Sequence, residues 1–237
     1  MNKIHLSTVD STNIYLKENY DKLDNYTFVS SDEQTSGRGR QSRTWKSENG
    51  KNLLFSLLIL DKHLIDQYKT ISILSSYSII QVLEDMGIND LSIKWPNDIY
   101  YKDNKICGIL LEAVTKKEME CLIVGIGLNV NQEEFIGEYI NEPTSIKNVL
   151  NREIGIEKLK DAIYTKLIDN LEALKKHKDF YEEIIKYDYL KNRKAYALIN
   201  ERKAFIKVVG INRDYSLNIQ YDGKQENIEY GEISFHV

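Results

Sequence analysis

The sequence holds two cysteines and two prolines in 237 residues, and no long apolar run. Cys107 and Cys121 are too few for a disulfide scaffold and lack metal-ligand spacing. Cys107 sits in an apolar stretch, where a thiol serves as a small buried hydrophobe. The longest apolar stretch, 52–60, is about half of what a membrane span needs. The first ten residues carry one lysine and no apolar segment of the signal-peptide kind. An excess of one charge is also missing: Lys+Arg 32 against Asp+Glu 36 gives a net −4. That balance exerts no global pull towards nucleic acid or an anionic membrane. Twelve glycines without a period exclude a collagen-like chain. No internal repeat is evident. The expectation is a reduced, cytoplasmic, soluble protein with enough chain for a full core.

What is there alternates between strand-like and helix-like patterns. Ser11 or Thr12 is placed to cap a short helix ending near Asn19, and 26–30 reads as a strand. A polar, glycine-bearing segment, 31–50, precedes the buried strand 52–60. Helical spacing over 64–86 stops at Gly87, where a C-cap belongs. Strands are predicted at 91–94, 99–101, 106–114 and 120–128, with a tight turn at Asp103–Asn104. A short helix at 145–150 follows Pro143, 156–174 is clearly amphipathic, and another helix starts near Asp179. The texture then changes to short strands at 195–199, 204–211, 216–221 and 227–230, separated by Asn-Glu, Arg-Asp and Asp-Gly turns. Residues 1–189 thus read as a mixed α+β main domain, and 190–237 as a small all-β, barrel-like appendage.

Four segments could carry chemistry. Arg38, Arg40 and Arg43 fall within six positions, with Gly39 between the first two, and no other arginine precedes Arg152. Such a loop lets backbone approach a ligand while guanidinium groups fork onto an anion. A solvated loop or an Arg-Gly nucleic-acid contact fits the same pattern. In 94–98, Lys-Trp-Pro-Asn-Asp, a proline turn after a strand displays Asn97 and Asp98 towards phosphate, ribose or a metal ion. A plain Asx turn is the alternative. Lys105 opens an apolar strand and offers a point charge if it faces a pocket, while mid-strand Gly108 leaves room for a ligand. The run 125–131, Gly-Ile-Gly-Leu-Asn-Val-Asn, ends a strand with Asn129 placed for an adenine or phosphate edge. The four histidines show neither a zinc-protease motif nor a triad order.

Taken together, DSTN, EQTSGRGRQSRTW, GKNLLFS, KWPNDIYYKDNKICGILLE and GIGLNVN, in that order, resemble the catalytic domain of biotin–protein ligases. The closing GEIS of 231–234 is similar to the end of that family's small SH3-like C-terminal domain. The resemblance implies a class II synthetase-like fold: a mixed, mostly antiparallel sheet with packed helices. It implies formation of biotinyl-5′-AMP from biotin and ATP with Mg2+, without a tightly bound prosthetic group. Transfer to one lysine of a biotin carboxyl carrier domain, such as that of acetyl-CoA carboxylase, then follows.

By the same resemblance Ser11, Thr12, Asn13 and Gln34 meet the bicyclic end of biotin, with Gly108 in the same pocket. Arg38, Gly39 and Arg40 fold over the adenylate, and Lys105 lies by the biotin carboxylate and α-phosphate. Trp45 stacks near the adenine. Arg43, Asn97, Asp98 and Asn129 take nucleotide positions, with Asp98 towards the magnesium. Gln41-Ser42 and Lys46-Ser47-Glu48 depart from the family pattern in the loop. The chain starts almost at DSTN, so the resemblance is to the monofunctional type, without DNA binding. A monomer and a homodimer joined by sheet edges are both compatible with it. A lipoate–protein ligase, a non-catalytic biotin or nucleotide sensor, and a nucleic-acid-binding protein are the rival readings.

Overall fold

The computed structural model describes residues 2–40, 43–137, 139, 141–199, 202–229 and 235–236. Along the chain run β1 (Lys3–Val9), α1 (Thr12–Asn19), β2 (Phe28–Gln34), β3 (Leu53–Ile59), α2 (Lys62–Ile65), α3 (Tyr68–Asp85), β4 (Leu91–Lys94), β5 (Asp98–Tyr101), β6 (Asn104–Thr115) and β7 (Met119–Leu128). There follow α4 (Ile146–Leu150), α5 (Ile156–Lys175), α6 (Tyr181–Ile184), β8 (Lys194–Ile199), β9 (Arg202–Ile211), β10 (Leu217–Tyr221), β11 (Lys224–Ile228) and β12 (Phe235–His236). The fold is α+β, as expected. Seven strands form one sheet in the order β1-β2-β3-β7-β6-β5-β4, and five form a smaller sheet in the order β11-β10-β9-β8-β12. In the large sheet β1 and β2 run parallel and the other pairs are antiparallel.

The alternation of β3 explains how the sheet is used on both faces. Leu53, Phe55, Leu57 and Ile59 enter the main core beneath α3 and α5, where Phe28 stacks on Phe55 at 4.5 Å. Leu58 turns the other way, into a second cluster with Leu16 of α1, Val29, Cys121 and Ile123. Each such side chain contributes roughly 1.5–3 kcal/mol relative to exposure. Helix α5 buries Leu159, Ile163, Leu167, Leu171 and Leu174, so its stripe holds it on the core. Asn170 donates to Ser78 Oγ and Gln81 Oε1, both at 2.8 Å, which satisfies the polar groups between α5 and α3.

On the α1 side of the sheet the strands change character. Gly125 and Gly127 share the face of Ile123 by period two, Gly108 lies opposite Gly127, and Ser56 lies opposite Gly125. Small residues on a face that α1 covers only in part leave a hollow there.

Several elements differ from expectation. Strand β1 was not anticipated. Strand β2 starts at Phe28 because Tyr26 adopts φ 63°. The helix expected over 64–86 divides after α2, which Asp61 caps by accepting from His63 N at 3.0 Å. The β5–β6 turn centres on Lys102 (φ 53°) and Asp103, one residue early. The helix from Asp179 shrinks to α6 and a 3₁₀ turn at Ile185–Tyr187. Strand β11 precedes its expected place at 227–230. Gln41, Ser42, the Asn200–Glu201 turn, Tyr230 and the GEIS of 231–234 lie outside the described residues. Among the described residues no helix is long and apolar enough to cross a membrane.

Candidate active site

One cavity of about 480 Å³ opens on the hollow face. All the residues singled out above line it: Ser11, Thr12, Asn13, Gln34, Arg38, Gly39, Arg40, Arg43, Trp45, Asn97, Asp98, Lys105, Gly108 and Asn129. Its floor is glycine for a steric reason. A Cβ on Gly127 would stand 2.5 Å from Trp45 Cε2, and one on Gly108 would stand 2.9 Å from Trp45 Cζ3. The indole therefore lies directly on this cross-strand glycine pair, with Nε1 buried and lacking an acceptor among the described residues. Trp45 gets there because its N–H bonds Gly37 O at 2.9 Å and Gly39 N bonds Arg43 O at 2.7 Å, which folds the loop back on itself.

One end of the cavity is neutral and closely hydrogen-bonded. Ser11 occupies the N-cap of α1 without a side-chain cap bond, and Thr12 makes none either, so the expected capping is absent. Thr12 is turned elsewhere. Its N–H donates to Gln34 Oε1 at 2.8 Å, and its Oγ1 lies 2.7 Å from Ser56 Oγ. Ser56 Oγ donates to Asn13 Oδ1 at 2.6 Å, and Asn13 Nδ2 donates to Glu112 Oε2 at 2.9 Å. Lys17 Nζ (3.1 Å) and Arg38 Nη1 (3.4 Å) meet the other oxygen of that carboxylate. Burial pushes the Glu112 carboxyl up, but the hydrogen bonds from Asn13 and Lys17, with the charges of Lys17 and Arg38, outweigh it and hold it below its ordinary value.

Two residues further along β7, about 7 Å, the lining becomes cationic. Lys105 Nζ pairs with Asp98 Oδ1 at 2.8 Å and sits 5.4 Å from the centroid of the Trp45 ring. Arg40 Nη1 donates to Asn97 Oδ1 at 3.1 Å, while Asn97 Nδ2 donates to the Ile109 carbonyl. Asn97 thereby ties the arginine loop to the turn after β4. Asn129 Nδ2 donates to Thr144 O at 3.0 Å, which fixes the end of β7. Lys94 Nζ reaches Asn141 Oδ1 at 3.2 Å and Tyr100 Oη at 3.5 Å. Burial drives the Lys94 ammonium below its ordinary value; Asp98 opposes that, and Lys105 and Arg43 add to it. Burial and the nearby Asp98 push the Tyr100 hydroxyl well up.

Asp98 is the carboxylate on this lining, against Arg38, Arg40, Arg43, Lys46, Lys94 and Lys105. Among the described residues no three His, Cys, Asp or Glu side chains are grouped to hold a metal ion. One carboxylate suits a magnesium ion that arrives on phosphates rather than one caged by protein.

Sequence reasoning assigned no role to Ser56, Lys94 or Glu112. Each had a signal: a hydroxyl inside an apolar strand, a lysine before the proline turn, and a carboxylate ending the strand that Lys105 opens.

Fold and site together define an α+β protein whose glycine-floored cavity joins a neutral hydrogen-bonding end to a cationic end. Residues 6–129 match the biotin/lipoate A/B protein ligase family, and the chain belongs to it. It is 34% identical over 131 residues to the bifunctional ligase/repressor BirA of Bacillus subtilis, covering 54% of this chain and 40% of that protein. Against the bifunctional ligase/repressor BirA of Escherichia coli it is 27% identical over 239 residues, covering 97% of this chain and 72% of the relative. The biotin protein ligase of Aquifex aeolicus, solved in complex with biotin and ATP, superposes with a TM-score of 0.86 at 29% identity, over 99% of this chain and 98% of that one.

Proposed function

We propose that the protein is an ATP-dependent biotin–protein ligase. It joins biotin to ATP as biotinyl-5′-AMP and passes the acyl group to a lysine of a biotin carboxyl carrier domain, such as that of acetyl-CoA carboxylase. The observation that carries this reading is one floor shared by two unlike ends, with Lys105 and Trp45 at their junction. A small organic acid with a polar ring fits the neutral end and extends its carboxylate towards the cations. Residues 1–189 form the catalytic unit in this reading, and 190–237 a small SH3-like domain beside it.

In the first step a biotin carboxylate oxygen attacks the α-phosphorus, and the bond to the pyrophosphate oxygen breaks. Two anions must approach, so Lys105 and Arg40 offset their repulsion and the charge that develops on the α-phosphate. Arg43 and Lys94 supply charge to the departing phosphates, and Asp98 is the side chain that would face a magnesium ion carried with them. Trp45 offers its face to the adenine, and Asn97 and Asn129 hold the surrounding backbone. Ser11, Thr12, Asn13 and Gln34 hold the bicyclic end, and Arg38 and Gly39 let the loop cover the mixed anhydride, which water would hydrolyse. In the second step the carrier amine attacks the acyl carbon and AMP leaves. No enzyme nucleophile is needed.

ATP–pyrophosphate exchange with biotin, lipoate or no acid tests the reading. Biotin-dependent exchange is expected, with a loss of roughly 100-fold or more in Lys105→Ala. Arg40→Ala is expected to release free biotinyl-adenylate. Exchange with lipoate alone would move the chain to the lipoate branch of the family, and none with either acid, from folded protein, would replace the ligase with a sensor.

A further inference from the structure

Among the described residues, the lysines on the cavity lining are Lys46, Lys94 and Lys105. Two of them are engaged. Lys105 is bonded to Asp98 at 2.8 Å, and the buried Lys94 places its ammonium on Asn141 and Tyr100. Lys46 is exposed, and its side chain makes no hydrogen bond or ion pair among the described residues. It also opens the stretch Lys46-Ser47-Glu48, which departs from the family pattern and to which the proposed reaction gives no role.

The backbone around Lys46 is anchored on both sides. Trp45 N–H donates to Gly37 O at 2.9 Å, and Glu48 N–H donates to Gln132 Oε1 at 3.2 Å. The Trp45 indole lies against Gly108 and Gly127, with Lys105 Nζ 5.4 Å from its ring centroid. A primary amine on a flexible four-carbon stem is thereby held beside the junction of the neutral and cationic ends. In the proposed reaction the acyl phosphate forms at that junction, and a lysine amine is the group that consumes it.

We propose that Lys46 is a site of self-modification, whose amine takes the acyl group when no carrier lysine enters. The inference rests on the ligase reading and deepens it by naming a second acceptor, on this chain, for the same site. Lys46 Nζ, in its neutral form, attacks the acyl carbon of biotinyl-AMP and a C–N bond forms. The bond from that carbon to the AMP phosphate oxygen breaks, AMP leaves with the electron pair, and the amine proton passes to water. An amine tethered in the site competes at an effective concentration far above that of a lysine free in solution. The resulting amide leaves the bicyclic end against Thr12, Asn13 and Gln34, so the modified chain is closed to a further molecule of biotin.

The test incubates wild-type protein with biotin and ATP, without carrier, and maps the modified lysines by peptide mass spectrometry. Biotin is expected on Lys46. The labelled fraction at a given time should stay within about twofold when the protein is diluted roughly a hundredfold, since the acceptor is tethered. An excess of albumin, which intercepts adenylate free in solution, should not suppress it. ATP–pyrophosphate exchange should fall in step with the labelled fraction. In Lys46→Arg the label per adenylate formed should drop at least about tenfold, and exchange should no longer decline during the incubation. Label scattered over surface lysines, lost on dilution or diverted to albumin would overturn the proposal and make released adenylate the agent. An own-chain label that persists in Lys46→Arg would overturn it as well. So would wild-type protein with full biotin-dependent exchange and no label on its own chain, a result that leaves the ligase reading in place. Failure of that reading shows separately, as folded wild-type protein without biotin-dependent exchange.

Discussion

Lys94 is 8% exposed, yet its hydrogen-bond acceptors are the neutral oxygens of Asn141 and Tyr100, and two of its charged neighbours, Lys105 and Arg43, are cations. An ammonium in that setting gives up hydration that neutral acceptors restore only in part. Its nearest relief in the protein is Asp98, which sits opposite it in the β4–β5 register but is already bonded to Lys105. Such a residue stores instability that an arriving phosphate would relieve. Lys94→Met, which keeps the volume and removes the charge, is therefore expected to stabilise the free protein by about 1 kcal/mol, a rise of roughly 2–4 °C in Tm. Exchange activity should fall at least tenfold in the same protein. A Tm that drops along with activity would show that Lys94 holds the fold rather than a ligand. The sequence marked Lys94 only by the proline turn that follows it; its burial beside other cations is supplied by the tertiary fold.

At the scale of elements, the turn after β4 is braced from outside the large sheet. Trp95 Nε1 donates to the Tyr215 carbonyl at 2.8 Å, and both residues are buried. Tyr189 N bonds Ile93 O at 3.0 Å, and the Tyr189 ring stacks on Tyr100 at 5.0 Å. Asn97 and Asp98, which follow Trp95 and Pro96, thus take their position partly from the segment that ends in the small sheet. Trp95→Phe removes one donor and strands a buried carbonyl, for an expected loss of about 1–2 kcal/mol. In the proposed ligase the turn serves the phosphate end, so KM for ATP should rise several-fold while KM for biotin changes little. Equal effects on both would mean that the brace serves stability alone. Elements with a single strong period were legible in the sequence: α5 by its apolar stripe, β3 and β7 by continuous burial. Strand β1 was not. Its residues alternate between exposed and half-buried, so no apolar run marks them, and its pairing is with a parallel partner that only the tertiary fold supplies. The small sheet was legible through its turns, where Asp222 and Gly223 both take positive φ between β10 and β11.

For the whole molecule, a net charge of −4 surrounds a cavity with six cationic side chains and one carboxylate on its lining. The residues of the site that could be named from sequence were those in contiguous motifs, where glycine, arginine and proline spacing carries its own geometric meaning. Ser56, Lys94 and Glu112 escaped because their roles arise from register: Ser56 lies across from Gly125, Lys94 across from Asp98, and Glu112 across from Ile123. Nothing local in the chain announces a cross-strand neighbour. The separation of a neutral end from a cationic end has a consequence that both substrates feel differently. As a substrate of the proposed reaction, ATP would bring several negative charges to the cationic end, and that end would draw it through a field concentrated in a cleft of a weakly acidic protein. In the proposed reading biotin would bring one charge and be held chiefly by short, directed hydrogen bonds at the other end. Raising KCl from about 0.02 to 0.5 M shortens the screening length from about 20 Å to about 4 Å. KM for ATP should then climb by roughly tenfold, and KM for biotin by no more than about twofold, in the exchange assay. Steep salt dependence for biotin as well would place its carboxylate, rather than its ring, at the centre of recognition. Salt-independence of both would mean that the arginine loop and the two lysines act after binding, on the reacting phosphate alone.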